Sequence, residues 1–210
     1  MPRLGRTCTL FAAILAACVF SLALAAQTVV QPSGVVLQAA KVQAAQQKKL
    51  VFVVFGASWS QPCRALNTFM SDKQIHPILD KYFVPATIHV SEEATKGGSA
   101  DWNNFGGDSM MARFGGVDKA GKKASIPFFA FVDADGNVLA NSVDPMQERF
   151  EAASIGYPDN PEQITWLMTM FKMAVPAMTP EESATIENWV KKHDAASLAP
   201  PAGGGKGRGR

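Results

Sequence analysis

Cysteine is scarce in this 210-residue chain, with three residues at positions 8, 18 and 63. No two of them stand at C-x-x-C spacing, so the sequence spells out no dithiol pair. Histidine is equally scarce, at positions 76, 89 and 193. A serine nucleophile needs a paired base, and none of the three histidines stands on an obvious site loop. Excess charge is missing as well. The formal net charge is +2, and without Arg3 and Arg6 the basic and acidic residues balance at 18 each. Setting aside Lys206, Arg208 and Arg210 in the Gly-rich C-terminal stretch leaves 15 basic against 18 acidic residues. The folded part therefore offers no basic surface for nucleic acid. There is no internal repeat, and one long apolar run.

That run extends from Leu10 to Ala26 and follows the basic pair Arg3 and Arg6. At about 17 residues it is marginal for a membrane span, and no basic stop-transfer cluster follows it. Ala23-Leu24-Ala25 supplies small residues at the −3 and −1 positions of a cleavage site. Residues 1–26 are read as a cleaved secretory signal, which places the mature chain in the periplasm or outside the cell. Two alternatives stay open. The signal is an uncleaved anchor, or Leu15-Ala16-Ala17-Cys18 is a lipobox and Cys18 carries a lipid. Only these two would bring the protein to a membrane. Cleavage removes Cys8 and Cys18 and leaves Cys63 with no intramolecular partner.

After a linker over residues 27–34, local patterns predict alternating helices and strands. A helix over 35–49 places Val35, Val36, Ala39, Val42, Ala45 and Gln46 at helical spacing. The apolar, β-branched run 50–55 reads as a buried strand. A helix capped by Ser60 follows to about residue 70, then a short helix from Ser71 or Asp72 to Tyr82. Residues 83–90 form a strand. The glycine pairs at 97–98, 106–107 and 115–116 break up the next stretch, with a short helix at 109–114. Strands at 127–132 and 137–142 flank the turn Asp133-Ala134-Asp135-Gly136. That turn resembles the start of a calcium loop but lacks the later acidic ligand. Asn160-Pro161-Glu162-Gln163 and Thr179-Pro180-Glu181-Glu182 are helix starts, with a cap, proline in the first turn and an acceptor at N3. Trp102, Trp166, Trp189, Met168, Met170 and Met173 are assigned to the core. The domain spans 35–194, and 195–210 reads as a disordered Gly-rich basic tail.

Three ordered segments carry a resemblance. Phe52-Val53-Val54-Phe55-Gly56-Ala57-Ser58-Trp59-Ser60-Gln61-Pro62-Cys63-Arg64 resembles the strand and W-C-x-P-C-R site of the thioredoxin family. Ser125-Ile126-Pro127-Phe128 resembles the segment that holds the family's cis-proline. Phe131 to Leu139 resembles the strand-turn-strand that follows it. The resemblance covers about residues 35–143, and the later helices resemble those of secreted bacterial thioredoxin-family proteins. It implies an α/β thioredoxin-like fold: a central mixed β-sheet flanked by helices, with extra C-terminal helices.

The resemblance also implies what has been lost. The position of Ser60 is the family's exposed nucleophilic cysteine, and a serine hydroxyl stays protonated at neutral pH. The position of Val54 is a buried aspartate that assists proton transfer. Cys63 stands at the resolving cysteine. It is either a small buried core residue or a monothiol that forms mixed disulfides with an external thiol or meets peroxide. Trp59, Ser60, Gln61 and Pro62 form the degenerate site. Ile126 and Pro127 form the surface where family members pair with extended peptides. The reading is a protein- or peptide-binding module without dithiol catalysis. The alternative is a monothiol oxidoreductase or peroxidase acting through Cys63, and a third reading is an envelope component tethered at Cys18. No cofactor, metal or nucleic acid is expected.

Overall fold

The structure is a computed structural model that describes residues 30–117, 121–145 and 154–198. The signal and lipobox readings, and residues 199–210 of the tail, lie outside the described residues. In chain order the elements are α1 (Ser33–Gln47), β1 (Leu50–Gly56), α2 (Gln61–Ser71), α3 (His76–Tyr82) and β2 (Phe83–His89). Two 3₁₀ turns, Ala94–Lys96 and Ala100–Trp102, precede α4 (Gly107–Arg113). The chain continues through β3 (Phe128–Val132), β4 (Val138–Asn141), α5 (Pro161–Ala174), α6 (Pro180–Lys192) and α7 (Ala195–Leu198).

The strands form one sheet in the order β2-β1-β3-β4. β1 pairs parallel to β2 and antiparallel to β3, and β3 pairs antiparallel to β4, so the sheet is mixed. Side chains of a strand alternate between faces, and β1 fills both. Phe52 and Val54 enter a core with Leu66 and Phe69 of α2, Leu79 of α3, Phe171 of α5 and Trp189 of α6. Val51, Val53 and Phe55 enter a second core with Ala40 and Ala44 of α1 and Met110 and Met111 of α4. An aromatic cluster ties the first core to the sheet. The Phe131 ring lies 4.9 Å from Phe52, 4.7 Å from Phe83 and 5.0 Å from Phe171, centroid to centroid. The expected α/β architecture, with helices on both faces and extra C-terminal helices, is the one that forms.

Several details differ from expectation. The α1 face that packs on the sheet is Val36, Leu37, Ala40 and Ala44, while Val35 and Val42 are exposed. Small side chains at 40 and 44 let the helix approach bulky strand residues, and that decides between two competing apolar stripes. α3 starts at His76 and is preceded by a turn that Asp72 caps, its carboxylate accepting from Gln74 N at 2.8 Å. Trp102 and Met173 are exposed, not core, whereas Trp189 and Met170 are buried. The tail does not begin at 195: Asp159 Oδ1 accepts from Ala195 N at 2.9 Å, and α7 packs against α2 with Ala195 buried.

α6 begins with a reciprocal capping box. Thr179 Oγ1 accepts from Glu182 N at 3.2 Å, and Glu182 Oε2 accepts from Thr179 N at 2.9 Å. The same carboxylate accepts from Lys81 Nζ at 2.8 Å and Tyr82 OH at 2.6 Å, which joins α6 to α3. The Lys81 bond, then the Tyr82 and Thr179 bonds, hold Glu182 down at about 2, while Lys81 is pushed up to about 12. Glu182 moves further than Lys81 because it has two donors besides the ammonium. A carboxyl that titrates lower folded than unfolded contributes stability above its unfolded value, and this is lost as pH falls through the folded one. Glu182→Gln should therefore lower the urea midpoint at pH 7, and the gap from wild type should close between pH about 4.5 and about 2.

Candidate functional site

The site sits where three strands end. Register places Gly56 of β1 opposite His89 of β2, and Phe55 opposite Phe128 of β3. Pro127, one residue before Phe128, therefore lies at the same end of the sheet as Gly56 and the loop that follows it. The Ile126–Pro127 peptide bond is cis. Pro127 is buried and Ile126 half-buried, and the Pro127 carbonyl accepts from Ser154 Oγ at 2.7 Å. The structure thus gathers Trp59, Ser60, Cys63, Ile126 and Pro127 at one end of the sheet.

Ser60 caps α2. Its backbone is extended, and its Oγ accepts from Cys63 N at 3.4 Å. Pro62 falls in the first turn, where its missing N–H costs no helical bond. Ser60 is 4% exposed and Cys63 5% exposed, while Gln61 is open to solvent. The serine hydroxyl is therefore buried at the position where the family resemblance implied an exposed nucleophile. Cys63 is a free thiol and the one cysteine among the described residues. Burial pushes it above the usual thiol range. The Ser60 side chain and the Ala57 backbone hydrogen-bond to it and act the other way; the Glu92 charge raises it and Arg64 lowers it. Val54 is buried among apolar side chains, with no carboxylate in its place.

The sulfur packs against the end of β1. A methyl group at position 56 would lie 2.8 Å from Cys63 Sγ, so Gly56 makes room for the thiol.

One group of residues escaped the sequence reading. The Glu92 carboxylate accepts from Ser58 N at 2.7 Å, Ser58 Oγ at 2.8 Å and His89 Nδ1 at 3.0 Å. Trp59 Nε1 donates to the Ser91 carbonyl at 2.8 Å, and Lys96 Nζ lies 4.4 Å from the Trp59 ring centroid. From the other side Arg64 Nη1 donates to the carbonyls of Ser58 at 3.1 Å and Trp59 at 2.7 Å. His89 does not stand on the site loop, yet Glu92 links it there. A signal was available in Ser58, a hydroxyl beside the site tryptophan.

The calcium-like turn is closed on itself. Asp133 Oδ1 accepts from the N–H groups of Asp135, Gly136 and Asn137, and Oδ2 from the Asn137 side chain. Among the described residues no group of three His, Cys, Asp or Glu side chains is placed to hold a metal ion. No helix among them is long and apolar enough to cross a membrane.

This is the sheet end of an α/β domain with a thioredoxin-like fold, and it carries one buried thiol among the described residues, Cys63. Residues 35–134 match the family model described as Thioredoxin-like, the stretch that holds β1, β2, β3 and the site loop. No curated protein matches it. Among solved structures it is similar to a disulphide isomerase from Xylella fastidiosa Temecula1, at 17% identity and TM-score 0.42, over 76% of this chain and 89% of that one. It is also similar to a thiol:disulfide interchange protein from Chlorobium tepidum TLS, at 22% identity and TM-score 0.35, over 62% and 83%. A third is the C-terminal domain of Neisseria meningitidis DsbD, at 16% identity and TM-score 0.35, over 53% and 82%.

Gly56→Ala should destabilise the fold by about 1–3 kcal/mol through overpacking. In a Cys63→Ala background most of that loss should disappear, because the clashing sulfur is gone. Equal losses in both backgrounds, measured by urea unfolding, would contradict the packing described.

Proposed function

We propose that the protein is an exported module that binds extended protein or peptide segments and performs no dithiol redox catalysis. The observation that carries this reading is a buried Ser60 and a buried, raised Cys63 at the end of the sheet where the Ile126–Pro127 segment also lies. Disulfide exchange starts from an accessible thiolate, and this site offers none at residue 60. Main-chain pairing at Ile126 needs no thiol. Export rests on the basic, apolar and small-residue pattern of residues 1–26, with Cys18 as the alternative anchoring point.

A second reading is supported by the hydrogen bonds that Ser60 and Ala57 direct at the Cys63 sulfur, because they stabilise a thiolate. It makes Cys63 a monothiol acting with an external thiol. The two readings differ in the speed of alkylation.

The exported chain, its mass short of residues 1–26, should reduce no insulin disulfide and should be alkylated slowly at neutral pH. Ser60→Cys should form a disulfide with Cys63 under air and gain measurable insulin reduction. Fast neutral labelling that Cys63→Ala abolishes would sink the binding-only reading in favour of the monothiol.

A further inference from the structure

Glu92 has a fully buried side chain, with 0% exposed. A buried carboxylate is costly, and an apolar residue in its place is often neutral or better for stability. Its presence calls for something an apolar side chain could not do. What it does is take both donors of one residue, the N–H and the hydroxyl of Ser58. Together with Arg64 on the Ser58 and Trp59 carbonyls, this fixes the peptide planes on either side of Ser58.

The strap that carries Glu92 is built to hold it there. The Asn103 side chain accepts from Glu92 N at 2.9 Å and donates to Glu92 O at 3.1 Å. Asn104 pairs with the end of β2 through both backbone and side chain: its backbone N–H donates to His89 O, and its Oδ1 accepts from His89 N. A side chain at Gly98 would collide with Glu92 Oε2. Ser91 adopts a left-handed φ of 57°, rare for a residue with a side chain, and its carbonyl takes the Trp59 indole N–H. Asn103 thus holds Glu92 and Gly98 leaves it room, Asn104 anchors the strap to the end of β2, and the left-handed Ser91 meets the Trp59 indole.

We propose that Glu92 is the positioning residue of the peptide groove, holding Ser58 so that Trp59 is presented in one orientation at the end of the sheet that also carries Ile126 and Pro127. The proposal rests on the groove reading above. The groups that face the carboxylate and its surroundings are His89 from β2, Arg64 and Cys63 from α2, and Lys96 over the Trp59 ring from the strap itself. Since the Glu92 charge also bears on Cys63, the residue has a geometric effect and an electrostatic effect that separate by substitution.

The test uses the full mature chain as wild type, Glu92→Ala and Glu92→Gln, each checked for folding by circular dichroism. Two readouts need no peptide: hydrogen exchange of the Trp59 indole N–H by NMR, and the pH profile of Cys63 alkylation. Glu92→Ala should speed indole exchange at least about tenfold, the size expected for losing hydrogen bonds to a charged group. Glu92→Gln keeps an acceptor for Ser58 and should restore slow exchange. It removes the charge, so the alkylation midpoint should still move to lower pH. A looser pocket would also hydrate Cys63 and lower the midpoint, but only together with fast indole exchange; a lowered midpoint with slow exchange in Glu92→Gln is the split that a merely structural role does not predict. Affinity for carboxymethylated insulin B chain should fall at least about fivefold in Glu92→Ala. Unchanged indole exchange and an unchanged alkylation midpoint in both folded variants would overturn the proposal. If the wild type binds no B chain, the groove reading fails, while the two peptide-free readouts still decide on Glu92.

Discussion

Everything in this domain hangs on β1 being buried on both faces between β2 and β3. Its apolar run needs a helical layer on each side, and α1 and α4 supply one while α2, α3, α5 and α6 supply the other. The same strand delivers Gly56 and the Trp59 loop to the end of the sheet where β2 stops and β3 begins. The site loop is therefore as fixed as the core beneath it. A serine at residue 60 is compatible with that positioning, because none of it depends on a thiol there.

The chemistry of the site follows from burial more than from charge. Desolvation is the largest influence on Cys63, and it favours the neutral thiol. Ser60 and Ala57 pull the other way with hydrogen bonds, and Glu92 and Arg64 oppose each other. A thiol held this way resembles a packed residue that has kept the surroundings of a reactive one. The exposed residues of the site loop are then Ser58 and Gln61, with Trp59 and Ile126 half-buried.

Legibility in the sequence tracked how local each cause is. The α5 and α6 starts depend on four consecutive residues each, and they form at Asn160 and Thr179 as read. β1 was legible because a continuous apolar, β-branched-rich run bounded by Lys49 and Gly56 leaves few other options. The buried face of α1 was not, since two apolar stripes compete and only the sheet beneath selects Ala40 and Ala44. Trp102 looked like core by its type, yet its 3₁₀ turn lies on the surface. Trp59, Ser60, Cys63 and Pro127 were legible from three short segments in order. Glu92 was not, because an acidic residue in an irregular stretch reads as solvated, and its partner Ser58 lies 34 residues away.

A peptide groove at this end of the sheet that works without a redox pair should take up carboxymethylated insulin B chain, which has no thiol to exchange, when it is titrated into the ¹⁵N-labelled mature protein. Saturable shifts should gather at the Trp59 indole and at the amides of Ser60, Ile126 and Phe128, and should persist in Cys63→Ala. Shifts confined to other faces, or binding that disappears with Cys63, would contradict it.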